Sequence, residues 1–153
     1  MEGSYCGANE EQALERMKRD VEYRTVFDVS GDMLAHDDVI LHFDGIDTVA
    51  DVCLNGQTLG HVDNMHRTWE YQVKDLLKEK GNELSVRITS PVNYIYDLYE
   101  KDPLIAGSTD SMRGCFYLRK AHCMYGWDWG PRLPDAGIWR AVSLLGVDAA
   151  RLD

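Results

Sequence analysis

Thr48-Val49-Ala50-Asp51-Val52-Cys53-Leu54-Asn55-Gly56-Gln57-Thr58-Leu59-Gly60-His61-Val62 is the stretch that decides the fold class of this chain. Its first half is a β-rich run, and Asn55-Gly56 is the strongest short-range hairpin signal in the sequence. That dipeptide favours the paired positive backbone angles of a two-residue type I′ turn, so the residues after it are expected to return antiparallel to those before it.

Working outward, Val39-Ile40-Leu41-His42-Phe43 is a second β-rich run, set off by the turn Asp44-Gly45. Further upstream Tyr23, Thr25, Phe27 and Val29 alternate with Arg24, Val26 and Asp28, the period of a strand. Ahead of them Asn9-Glu10-Glu11-Gln12 has the form of a helix start, with Asn9 as cap and Gln12 three residues on. Ala13, Leu14, Met17 and Val21 then recur at helical spacing.

Downstream, Trp69-Glu70-Tyr71-Gln72-Val73 alternates as a strand, and Asp75-Leu76-Leu77-Lys78-Glu79-Lys80-Gly81 reads as a helical turn stopped by glycine. Residues 83–89 form another strand, ended by Ser90-Pro91. From 93 to 113 the pattern loses its period and gathers Asp, Gly, Ser and Thr, which predicts a long loop, either a binding loop or plain mobile surface. Residues 116–124 resume as a strand, and Ile138-Trp139-Arg140-Ala141-Val142-Ser143-Leu144-Leu145 closes the series. Roughly seven or eight short strands without a β-α-β rhythm predict an all-β, antiparallel β-sandwich with one short N-terminal helix. The chain reads as one domain over 1–153, with the helix near 9–20 and the sandwich over 21–147.

The composition, 44% hydrophobic and 27% charged, is that of an ordinary globular chain. A formal net charge of −10 argues against a nucleic-acid partner, whose phosphates need Lys and Arg. The basic residues are scattered, and Lys18-Arg19, Lys78, Lys80 and Arg119-Lys120 read as solvated surface rather than a membrane patch. Cys6, Cys53, Cys115 and Cys123 lack C-x-x-C spacing, so buried free thiols in a reducing cytoplasm are the expectation. Met1-Glu2-Gly3-Ser4 lacks the blocks of a signal peptide, and no apolar run approaches a membrane span. His36, His42, His61, His66 and His122 are not at metal-ligand spacing, and no nucleophile elbow is present. Asp44, Asp47 and Asp51 alternate with apolar residues as solvent-facing strand positions do, rather than as a calcium loop. No metal or cofactor is expected.

The chemistry concentrates in Gly126-Trp127-Asp128-Trp129-Gly130-Pro131. The apolar face of a pyranose stacks on an indole ring, and a carboxylate accepts hydrogen bonds from sugar hydroxyls, so the cluster suits one wall of a sugar site. Pro131 and Pro134 restrict the bend, while Gly126, Gly130 and Gly137 allow backbone angles other residues avoid. The competing reading is structural: Trp127 and Trp129 fill the sandwich core and Asp128 caps a turn. The six residues by themselves do not separate the two.

Across 9–145 an ordered set of pieces can be aligned: Asn9-Glu10-Glu11 with its helix; Phe43-Asp44-Gly45-Ile46-Asp47-Thr48 with Leu54-Asn55-Gly56; Asp63-Asn64-Met65-His66-Arg67-Thr68-Trp69; Asn82-Glu83-Leu84; Ser90-Pro91-Val92; Arg119-Lys120-Ala121; residues 126–132; and Gly137-Ile138-Trp139-Arg140. In this order they resemble the amino-terminal domain of family 2 β-mannosidases. The tryptophan motif singles out that branch among sugar-hydrolase sandwiches.

The resemblance implies a jelly-roll, galactose-binding-domain-like sandwich packed beside a (β/α)8 barrel, with a loop reaching into the barrel's active site. It implies that Trp127 and Asp128 contact a terminal β-linked mannose of an oligosaccharide substrate, with Trp129 and Arg119 as supporting residues. Retaining glycosidases use two carboxyl groups roughly 5 to 5.5 Å apart. The family takes both from its barrel, which needs about 200 residues or more, so no catalytic residue is assigned here and this chain alone is expected to be inactive. Asn9-Glu10 and Asn82-Glu83 echo the acid/base pair of such barrels, but a capped helix start and a strand start explain them. The family's domain usually has strands ahead of the point where this chain begins, which implies an exposed sheet edge open to self-association. A stand-alone carbohydrate-binding module and a purely structural domain remain the other readings.

Overall fold

Asn55 and Gly56 both sit at positive φ, 52° and 82°, the conformations a type I′ turn requires. The Asn55 side chain fastens the turn. Its amide donates to the Leu76 carbonyl at 2.7 Å and to Asn82 Oδ1 at 3.0 Å, and its Oδ1 accepts from the Glu83 N–H at 2.9 Å. The computed structural model describes residues 9–104, 108, 110–127 and 130–151.

In chain order the elements are α1 (Glu10–Met17), β1 (Val21–Phe27), α2 (Gly31–Ala35), β2 (Asp38–Phe43), β3 (Ile46–Asp47), β4 (Ala50–Leu54), β5 (Gln57–Val62), β6 (Trp69–Gln72), β7 (Asn82–Ile88), α3 (Pro91–Lys101), β8 (Gly137–Ile138) and β9 (Val142–Val147). Single 3-10 turns lie at Lys74–Leu76, Cys115–Tyr117 and His122–Met124.

The strands form an antiparallel sandwich. One sheet has the order β1-β7-β4-β5, the other β6-β2-β9, and β3 pairs with β8 as a short ribbon. Period-two alternation makes the core. β2 turns Val39, Leu41 and Phe43 inward, and β4 and β7 answer with Ala50, Val52 and Leu54 and with Leu84, Val86 and Ile88. Each of these side chains larger than alanine contributes about 1.5–3 kcal/mol when fully buried. Near β1 and β9 the sheets part over an apolar cavity of about 480 Å³ walled by Phe27, Leu41, Val86, Ile138 and Leu144. β1 occupies the outer position of its sheet there, and most of its residues are exposed.

Three local expectations are corrected. The loop expected over 93–113 begins as a helix, α3: Ser90 Oγ accepts from the Asn93 N–H at 3.1 Å, and Pro91 opens the first turn. Ser90-Pro91 thus ends a strand and starts a helix, because a missing N–H costs nothing at a first helical position. Residues 116–124 are not a strand. Two 3-10 turns lie there, and the first places Cys115 and Leu118, three apart, against the same apolar cluster. At α1 Asn9 is the cap position, but its side chain makes no cap hydrogen bond.

Candidate functional site

A second apolar cluster carries the tryptophan motif. Val49 of the sandwich meets Val92 and Ile95 of α3, then Met112, Cys115, Leu118 and Tyr125, with Leu14 and Met17 of α1 packed on its flank. Gly114 lets the segment approach α3: at φ 82°, a Cβ there would lie 2.4 Å from the Ile95 carbonyl oxygen. Tyr125 ends the segment with its ring fully buried. Burial, and then the neighbouring Asp47 and Cys115, hold its phenol far above the ordinary tyrosine range.

From Tyr125 the chain leaves the core as a loop with a closed base. Tyr125 and Arg132 form an antiparallel bridge. The Met112 N–H donates to the Tyr125 carbonyl at 3.0 Å, and the Leu133 N–H to the Met124 carbonyl at 2.8 Å. Gly126 makes the exit at φ 77°, where a Cβ would lie 2.6 Å from Arg132 Cγ. Gly130 and Gly137 do not take positive φ; Gly137 instead makes room for Tyr23, whose hydroxyl would lie 2.9 Å from a Cβ. On the other side of the base, Glu10 Oε1 accepts from Arg132 Nε at 2.7 Å and from the Arg132 backbone N–H at 3.1 Å. These bonds hold the Glu10 carboxyl below the usual glutamate range and push the Arg132 guanidinium up.

Beside this base lies an open cleft of about 650 Å³ walled by Glu10, Tyr96, Asp110, Arg113, Trp127 and Arg132, among others. Trp127 is 37% exposed, so it belongs to the surface and not to the sandwich core. An indole face amid carboxylates, guanidinium groups and a phenol is the mixture that neutral polyols bind. Asp128 and Trp129 lie outside the described residues. Arg119 is exposed and does not line this cleft; its backbone bridges Asn64, and its carbonyl accepts from the Met65 N–H at 3.0 Å.

The sequence reading missed Tyr96 and Arg113, because α3 and the close approach at Gly114 bring them to the cleft. Ser90, Pro91, Val92 and Ile95 at helical spacing were the available signal for α3. Two further readings are corrected. Lys120 is not surface, and Asp47 is not solvent-facing: their side chains, 0% and 5% exposed, form an ion pair. Lys120 Nζ also donates to the Asp135 carbonyl at 2.7 Å, and the Thr48 hydroxyl donates to Asp47. Asp44 and Asp51 are partly exposed, as expected.

Asn82-Glu83 is structural, as its position at a strand start implied. The Asn82 amide is fully buried among backbone groups, and Glu83 is exposed on β7. Among the described residues Cys53, Cys115 and Cys123 are free; Cys115 is buried, whereas Cys123 is exposed, against the expectation of burial. Among the described residues no group of three His, Cys, Asp or Glu side chains is placed to hold a metal ion, and no helix is long and apolar enough to cross a membrane.

Comparison with known proteins bears on the family and the fold. The β-mannosidase of Mus musculus is 32% identical over 139 residues, covering 86% of this chain and 16% of its own length. β-Mannosidase B of Aspergillus flavus is 35% identical over 148 residues, covering 94% of this chain and 17% of its own. The crystal structure of the β-D-mannosidase from Dictyoglomus thermophilum matches with a TM-score of 0.90 and 39% identity, over 99% of this chain and 19% of that one. This chain therefore spans less than a fifth of the length of each of these proteins. The family model for the glycosyl hydrolase 2 galactose-binding domain-like fold matches residues 1–140, and the chain belongs to that family.

Proposed function

We propose that this chain is the sugar-binding sandwich domain of a retaining exo-β-mannosidase that removes terminal β-linked mannose from oligosaccharides. The catalytic glutamates belong to a (β/α)8 barrel elsewhere in the full-length protein, and this domain contributes Trp127 and Asp128 to the substrate site. The observation that carries the reading is the near-complete agreement of this chain with one domain of a β-D-mannosidase of known structure. The exposed Trp127 beside a polar cleft adds support, since a core tryptophan offers no face to a sugar. In this reading Trp127 packs on the apolar face of the ring and the Asp128 carboxylate accepts from its hydroxyls. The reducing cytoplasm is the compartment we propose, with free thiols as its support.

The test replaces Asp128 by Ala in the full-length protein and measures hydrolysis of a β-mannoside and of its gluco and galacto epimers. Hydrogen bonds to a charged group contribute about 1.5–3 kcal/mol each, so kcat/KM for the mannoside is expected to fall roughly 10- to 150-fold or more. Unchanged kcat/KM would sink the contact role of Asp128.

A further inference from the structure

We propose that Lys120 is a positioning residue for the 126–131 loop, its buried ammonium tying both flanks of that loop to the sandwich through Asp47 and the Asp135 carbonyl. The inference rests on the reading of the loop as a substrate wall, and it deepens that reading by naming what aims the wall.

Lysine is almost never fully buried, and the Lys120 side chain is fully enclosed. Its surroundings are buried as well: Asp47 and Tyr125 are both almost fully enclosed. Stability is a weak account of such a pair, because apolar replacements of buried ion pairs are often neutral or stabilising. Connectivity is a better one. Lys120 lies ahead of the loop base at Tyr125, and Asp135 lies just past its other side at Arg132. The bond from Nζ to the Asp135 carbonyl, 2.7 Å, joins the two flanks. Asp47 roots that joint in β3, opposite Gly137 of β8, where the chain re-enters the sheet ribbon. Asp135 Oδ1 lies 3.9 Å from the same ammonium and faces its charge. An ammonium directs three donors from one point, and an apolar side chain of equal volume fills the space without joining the segments.

The test uses the full-length protein carrying K120M and D47N together. The double change removes both charges, leaves no unpaired ion in the interior and keeps an acceptor for the Thr48 hydroxyl. Amide hydrogen exchange should accelerate by about tenfold or more over 121–136, while β2, β4 and β7 keep their protection. β-Mannoside kcat/KM should fall about 10- to 100-fold, mostly in kcat, as misplacement of a site element predicts. D47N alone leaves the buried ammonium only the Asp135 carbonyl and the Asp135 carboxylate 3.9 Å away, so it is the harsher second variant, and its exchange should again accelerate first over 121–136. Equal acceleration in β2, β4 and β7 overturns the proposal, because it makes the pair a general stabiliser. Lost activity with unchanged exchange over 121–136 also overturns it. Localised acceleration with intact kcat/KM upholds the tether and instead removes the substrate-wall reading.

Discussion

Asn82→Ala is the most informative single substitution for the fold. The Asn82 side chain is 0% exposed. Its four hydrogen bonds use its full capacity: Oδ1 accepts from the Lys78 N–H at 2.8 Å and from Asn55 Nδ2 at 3.0 Å, and Nδ2 donates to the Lys78 carbonyl at 2.6 Å and the Phe27 carbonyl at 3.3 Å. One side chain thus joins the end of β1, the turn before β7 and the Asn55-Gly56 hairpin. Each bond is worth about 0.5–1.5 kcal/mol net, and deletion leaves buried partners unpaired. Counting the long Phe27 bond low, the loss should be about 3 kcal/mol, a large share of the roughly 5–15 kcal/mol that holds a domain together.

Urea unfolding of this chain, followed by far-UV circular dichroism, reads that loss directly. With a slope of about 2 kcal/mol/M, the midpoint should fall by about 1.5 M at unchanged slope. Asn82→Asp, which turns two donors into an acceptor facing carbonyl oxygens, should lose at least as much. Glu83→Ala is the control: Glu83 is half-exposed and sits 3.7 Å from Arg24, so its removal should cost about 0.5 kcal/mol or less. A midpoint for Asn82→Ala within about 0.2 M of the unaltered chain would refute the reasoning, and so would an equal loss for Glu83→Ala.

Gly114→Ala combines a left-handed backbone, costing about 1–2 kcal/mol for a residue with a Cβ, with overpacking against the Ile95 carbonyl, typically 1–3 kcal/mol. A loss of about 2–5 kcal/mol in urea unfolding is expected, and a silent substitution would show that this approach to α3 is not needed. His42 faces a carboxylate at each ring nitrogen, Asp44 at 2.9 Å and Glu70 at 2.7 Å; only the protonated ring donates to both, and these bonds, Asp44 first, raise its pKa. Its contribution to stability is therefore full below about pH 6.5, the unfolded value, and is lost as pH rises through the higher folded value. An NMR titration of the His42 ring should give a midpoint above about 6.5, and a midpoint at or below it contradicts the pairing.

Where local pattern and tertiary packing agree, the sequence was a sufficient guide. Asn55-Gly56 needs only its own backbone preferences to turn, and β2, β4 and β7 are long enough for alternation to show. The misreadings fall where one residue type serves two structures. Ser90-Pro91 stops a strand and caps a helix with the same two residues. The 116–124 segment is aromatic enough to pass for a strand, and only the cluster beneath it dictates turns that bury Cys115 and Leu118. At the candidate site, residue chemistry singled out Trp127 without deciding between surface and core, and it gave no sign of Lys120. Its partner Asp47 is 73 residues away, and nothing near a lysine announces burial. Glu10 was legible as a helix start, but its partner Arg132 lies 122 residues further along.

Among the described residues, the bonds that close the loop base at Tyr125 and Arg132 draw on backbone atoms of Met112, Met124 and Leu133 and on the Glu10 carboxylate. On the proposed reading of the loop, folding and ligand preference are separable traits in one chain. The base is a socket anchored from α1 and from the segment before it, so a lineage that alters the residues it presents keeps the anchorage of Glu10, Met112 and Leu133 in place.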